Sequence, residues 1–128
     1  MSLQKLLFTE DHEWLDPGKS PARLGISDYA QKELTDVVYV ELPEKGDEVR
    51  KGEVIVTLES VKATSDVYAP VDGKIIAVNT DLEAHPQKIN QDPYGEGWLV
   101  ELEVADPDSL KQLMNFEAYQ EYLNNQGE

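Results

Sequence analysis

The 128-residue sequence contains no cysteine, which excludes disulfide frameworks, thiolate metal sites and cysteine nucleophiles. Any sulfur chemistry has to arrive on an attached or visiting group. Histidine is nearly as scarce: His12 and His85 are the only two, far apart and without an i,i+4 partner, so a zinc or non-haem iron site has no support. A calcium loop of regularly spaced Asp and Asn is missing as well, and no metal is expected. Basic residues are few, 11 against 26 acidic ones, for a net charge of −15. That sign disfavours phosphate backbones and anionic lipid surfaces, so neither nucleic acid nor membrane is an expected partner. No apolar run approaches the length of a membrane span, and residues 1–10 lack the apolar core and cleavage pattern of a signal peptide. The chain reads as soluble and intracellular. Nucleotide-binding glycine patterns, a Ser-His-Asp arrangement and heptad runs are all absent.

What is present is a dense β pattern. Val54 to Leu58 form a β-branched run, and Val67 to Val71 and Ile75 to Val78 continue it on either side of Asp72-Gly73, a short-turn signal. The chain therefore goes out, turns near Lys62, returns, and turns again at Gly73. Tight two-residue turns favour pairs that tolerate positive φ, yet this tip reads Val61-Lys62-Ala63, one charge between two small apolar residues. Such a tip suits docking. Nothing neighbouring in sequence desolvates the lysine, which disfavours Schiff-base catalysis and leaves two readings, a solvated charge or an attachment point for a modification.

Elsewhere, Trp14-Leu15 and Ala22 to Ile26 flank Asp16-Pro17-Gly18 as an N-terminal hairpin. Ser27 reads as the N-cap of a short helix over 28–34, with Asp28 at its positive end. A strand follows at Val37 to Leu42, ended by Pro43, then a short element around Val49. Residues 79–97, rich in Pro and Gly, form a long irregular surface segment with one helical turn near Leu82. Trp98 to Val104 alternate as a half-buried strand, and Asp106-Pro107 opens a helical C-terminus over about 106–124, with Leu110, Leu113 and Met114 on one face. Asn115 caps its second part, whose apolar stripe is Tyr119, Tyr122 and Leu123. Trp14, Tyr29, Tyr39 and Trp98 are read as core. The expectation is one domain over 1–128, mostly β, a flattened barrel or sandwich of two small antiparallel sheets with the lysine at one end.

The segment Glu59 to Asp66, ESVKATSD, resembles the lipoyl-attachment motif of the glycine cleavage system H-protein family. The likeness continues in order through Asp11-His12-Glu13-Trp14, Gly25 to Gln31, Val40 to Pro43, Tyr68 to Val71 with Gly73, and Asp92 to Leu99. It implies a lipoyl-domain fold, the barrel-sandwich hybrid, with lipoate in amide linkage to Lys62. The family is not catalytic. Its arm takes an aminomethyl group from the pyridoxal-phosphate glycine decarboxylase to the tetrahydrofolate-dependent aminomethyltransferase and is reoxidised by dihydrolipoyl dehydrogenase. A lipoyl ligase or transferase is the further implied partner. By motif position, Glu13 and Asp66 resemble the family residues that hold the loaded arm. Asp11 is a third candidate, standing where the family commonly has a hydroxyl residue.

The resemblance also implies a monomer, cytoplasmic for a prokaryotic-type chain and in the mitochondrial matrix if a transit peptide has been removed. His12 is read as a packing or partner-contact residue, and His85 and Asn90 receive no assignment. An H-like lipoate donor to other complexes is the alternative, since it would use the same lysine. A biotin carrier would flank the lysine with methionines, and a 2-oxoacid dehydrogenase lipoyl domain would place an acid before it; Val61 and Ala63 fit neither.

Overall fold

The structure, a computed structural model, describes residues 3–126. Among them the strands are β1 (Leu7–Phe8), β2 (Glu13–Asp16), β3 (Ala22–Ile26), β4 (Val37–Glu41), β5 (Glu48–Val49), β6 (Val54–Ser60), β7 (Thr64–Tyr68), β8 (Gly73–Val78) and β9 (Val100–Val104). They build two antiparallel sheets, one of six strands in the order β1-β2-β3-β9-β8-β5 and one of three in the order β4-β6-β7. The sheets share one core without joining into a closed barrel. Leu24 and Leu102 from the larger sheet and Leu58 from the smaller, each fully buried, meet there. Each such side chain contributes about 1.5–3 kcal/mol by leaving water.

Local signals act as the sequence suggests around the hairpin and helix that flank the lysine. β2 and β3 pair from Glu13↔Ile26 to Asp16↔Arg23 across the Pro17-Gly18 turn. The hydroxyl of Ser27 accepts from the Ala30 N–H at 3.2 Å and starts α1 (Asp28–Leu34). β6 and β7 pair as a hairpin, with Glu59↔Thr64 next to the tip and Thr57↔Asp66 farther in.

The second turn is different. β7 and β8 lie in separate sheets, so Asp72-Gly73 carries the chain across the sandwich rather than closing a hairpin. Gly73 is needed there for proximity: a Cβ on it would lie 2.4 Å from the carbonyl oxygen of Glu103 on β9. The Asp72 carboxylate accepts from the Lys51 N–H at 2.8 Å, tying the crossover to the β5–β6 connection.

Residues 79–97 hold two one-turn helices, α2 (Asp81–Ala84) and α3 (Lys88–Gln91), which bury Leu82 and Ile89. Pro107–Gln112 is a 3-10 turn, started by Asp106, whose carboxylate accepts from Asp108 N–H at 3.0 Å. Met114 leaves any helical face and bridges Phe8 in β fashion. Asn115 then caps α4 (Phe116–Gln126) by accepting from the Ala118 N–H at 2.8 Å. This helix closes an aromatic cluster over β1 and β2, in which Phe8 and Tyr119 stack with centroids 4.5 Å apart and Trp14 is fully buried. Of the aromatics read as core, Tyr29 and Trp98 are only half-buried, and Trp98 lies under the Arg23 guanidinium at 4.7 Å. Tyr39 is 53% exposed, because the irregular pairing between Val37 and Tyr39 turns it outward beside Val38.

Candidate functional site

Lys62 stands in the loop between β6 and β7. That loop closes without glycine because Ser60 organises it. The Ser60 hydroxyl accepts from the N–H groups of Lys62 at 3.2 Å and Ala63 at 3.0 Å, and it donates to the Ala63 carbonyl at 3.0 Å. Neither Val61, Lys62 nor Ala63 takes a positive φ. On its other side the loop is tied to the entry of β4, where the Val61 N–H donates to the Asp36 carbonyl at 3.0 Å. Lys62 itself is exposed, and its Nζ makes a long 3.4 Å hydrogen bond to the Glu33 carbonyl on α1.

A cleft of about 280 Å³ opens beside this tip. Ala63 and Thr64 form its near end, α1 and β7 its walls, and Ile26 and Leu58 part of its floor, while Asp11, His12 and Glu13 close the far end. Along β7, Thr64 to Tyr68 span about 13 Å from one end to the other. A more open hollow of about 590 Å³ around Glu48, Lys74 and Glu103 includes neither Lys62 nor the three candidate carboxylates.

Glu13 is the unusual group. Side chains alternate along β2, so Glu13 shares a face with Leu15, which belongs to the main core, while Trp14 faces the aromatic cluster. A carboxylate thus sits at the end of the core with 2% exposure. The Tyr68 N–H donates to its Oε2 at 2.5 Å and the Thr9 hydroxyl to its Oε1 at 3.2 Å. Burial pushes its pKa up to about 7 despite the Tyr68 hydrogen bond, and the negative charge of Asp11 adds to the rise. Asp11 and Asp66 are exposed and line the same cleft. Asp66 is engaged across the hairpin, accepting from the Thr57 hydroxyl at 3.2 Å.

His12, at φ 69°, turns the chain into β2, and burial lowers its pKa. Its Nδ1 lies 2.8 Å from the Tyr119 hydroxyl, which is 2.7 Å from the Ser27 hydroxyl. Either hydroxyl can donate in the Ser27–Tyr119 pair, and Ser27, fully buried, also accepts from the Ala30 N–H. The direction of the Tyr119–His12 hydrogen bond goes with the imidazole tautomer: Tyr119 donates where Nδ1 carries no proton and accepts where it does. The chain of hydroxyls couples this wall of the cleft to α4.

The arrangement is an exposed amine at a tied-down tip, next to an apolar-floored groove that ends in carboxylates. The family model described as glycine cleavage H-protein matches residues 6–126. The chain belongs to the glycine cleavage H-protein family. It is 51% identical to the glycine cleavage system H protein of Thermotoga maritima over 115 residues, covering 90% of this chain and 93% of that one. The Thermus thermophilus protein of the same name is also 51% identical, over 119 residues and 93% of each chain. Among solved structures, the crystal structure of a glycine cleavage system H protein from Mycobacterium marinum superimposes with a TM-score of 0.80 at 36% identity, covering 98% of each chain. The fold and the shuttle role in the glycine cleavage system go with this H-protein family.

All three carboxylates singled out in the sequence line one cleft, but they differ in kind: Glu13 is buried, whereas Asp11 and Asp66 stand at the surface. The sequence reading missed Thr9, Ser60, Tyr29 and Glu33. Thr9 and Ser60 carried a usable signal, since each is a hydroxyl placed just before a turn without glycine. Tyr29 and Glu33 reach the cleft as an i,i+4 pair on α1, a spacing visible in the sequence once the helix is placed.

Proposed function

We propose that Lys62 carries lipoate in amide linkage and that the H-protein cleft beside it shelters the loaded arm between visits to partner enzymes. The tip fits such a group: its amine is exposed, with one long hydrogen bond among the described residues, and the adjoining groove has an apolar floor with an acidic end. When attached, the dithiolane supplies the sulfur that takes the aminomethyl cargo and the redox couple that is later restored. The chain's own residues position and protect. Ser60 and the Asp36 carbonyl hold the tip, while Ile26 and Leu58 exclude water along the groove. Glu13, Asp66 and Asp11 set a negative field for a cationic amine at the far end.

In this reading the protein is a non-catalytic carrier. Its partners are the pyridoxal-phosphate glycine decarboxylase, the tetrahydrofolate-dependent aminomethyltransferase, dihydrolipoyl dehydrogenase and a lipoyl ligase or transferase, met in the cytoplasm or mitochondrial matrix. It works as one domain and as a monomer. The observation that carries the reading is the single groove running from the lysine tip to Glu13. Its test is the lifetime of the loaded amine in a Glu13→Ala/Asp66→Ala double variant. The lifetime should shorten while attachment at Lys62 proceeds, and equal lifetimes in variant and parent would refute the cleft role.

A further inference from the structure

We propose that Asn90, a residue of α3 outside the cleft, is the positioning residue for the Lys62 tip. Its Oδ1 accepts from the Val37 N–H at 2.9 Å, and its Nδ2 donates to the Thr35 carbonyl at 2.7 Å and to Gln31 Oε1 at 3.1 Å. The Val37 N–H and the Asp36 C=O belong to one peptide group, and that carbonyl accepts the Val61 N–H at 3.0 Å. A chain of hydrogen bonds therefore runs from the Asn90 amide through a single peptide plane into the first residue of the lysine loop. Each bond in such a chain polarises the next. The second Asn90 bond holds the preceding peptide, so one side chain grips both peptides that flank the Asp36 Cα.

The gripped corner is strained. Thr35, which ends α1, has φ 64° and ψ −151°, a region open essentially to glycine alone and unfavourable for a β-branched residue. Such a conformation persists only where surrounding contacts over-determine it, and Asn90 binds directly to the Thr35 carbonyl. The same corner supplies two restraints that reach the tip from outside its own hairpin, the Asp36 carbonyl to Val61 and the Glu33 carbonyl to Lys62, beside those the Ser60 hydroxyl makes within it. Loosening the corner displaces the tip from its place beside the cleft, and from the pose that an attaching enzyme has to meet.

The proposal rests on Lys62 being the attachment site, and its test separates the two ideas. In Asn90→Ala, hydrogen exchange at the Val61 N–H should accelerate about tenfold while Leu102 in the central strand exchanges as in the parent. The KM for lipoyl attachment by a purified lipoate ligase should rise about fivefold with kcat unchanged. Adding Thr35→Gly removes the strain and should return both quantities toward the parental values. Asn90→Asp, which keeps the acceptor for Val37 and loses the donors, should also speed exchange at Val61, and it serves if the alanine variant does not fold. Parallel acceleration at Val61 and Leu102, with no rescue by Thr35→Gly, would mean that Asn90 only stabilises the fold and would overturn the proposal. So would unchanged Val61 exchange and KM in both Asn90 variants of a protein that is modified at Lys62. An unmodified parent would sink the attachment reading, while the Val61 exchange would still decide the role of Asn90.

Discussion

Replacing Glu13 by Gln isolates the cost of a carboxylate at the end of the core. Glutamine keeps a neutral acceptor for the Tyr68 N–H and much the same volume, but it cannot ionise. Burial lifts the folded-state pKa from the ordinary 4.5 to about 7, so between those values the folded protein holds a proton that the unfolded chain has lost. Parental stability therefore falls as pH rises from about 4.5 to 7 and levels off above. The shift corresponds to about 3 kcal/mol at pH 8 and under about 1 kcal/mol at pH 5. His12, whose pKa burial lowers, is present in both proteins, so its own titration adds to both stability curves. Glu13→Gln should thus melt on the order of 10 °C above the parent at pH 8 and close to it at pH 5. Thermal unfolding followed by circular dichroism at the two pH values reads this directly. A pH-independent difference, or a variant less stable than the parent at pH 8, would refute the account of Glu13 as a buried, destabilising anion retained for its site.

Other outcomes follow from single contacts. Tyr119→Phe removes the hydroxyl between Ser27 and His12 and should cost about 1–2 kcal/mol in urea unfolding, with a changed His12 titration in NMR; an unaltered titration would contradict the hydroxyl chain. A Cβ at Gly25 would lie 2.7–2.9 Å from the Trp14 indole, so Gly25→Ala should cost about 1–3 kcal/mol by the same unfolding assay, and a neutral result would mean that the pairing relaxes freely. Ser60→Ala should leave the melting temperature within a few degrees while markedly speeding exchange at the Lys62 and Ala63 amides; unchanged rates there would show that the loop holds itself without the hydroxyl.

The parts of this fold that were legible in the sequence are those encoded by neighbours. Ser27 and Asp28 announce α1 because a cap acts over three residues, and the β6–β7 hairpin is visible because its two runs adjoin. Asp72-Gly73 misleads because a hairpin turn and a sheet-to-sheet crossover use the same residues, and the contact that requires glycine, the carbonyl of Glu103, is distant in sequence. β1 is two residues long and carries no alternation to detect. Lys62 was readable as a tip and Glu13 as a candidate. The burial of Glu13 was not, since an acid beside Trp14 on an alternating strand reads as solvent-facing. Both faces of β2 are in fact covered, one by the core and the other by the aromatic cluster under α4. Asn90 was illegible because its one-turn helix is too short to show a periodicity, and its partners Thr35 and Val37 come from a different part of the chain.

The central claim is that the amine of Lys62 bears the prosthetic arm. Intact-mass measurement of the parent and Lys62→Arg proteins, each produced with a lipoyl ligase and lipoate, tests it most directly. The account predicts one lipoyl increment on the parent and none on the variant; an unmodified parent, or an increment that survives Lys62→Arg, would contradict it.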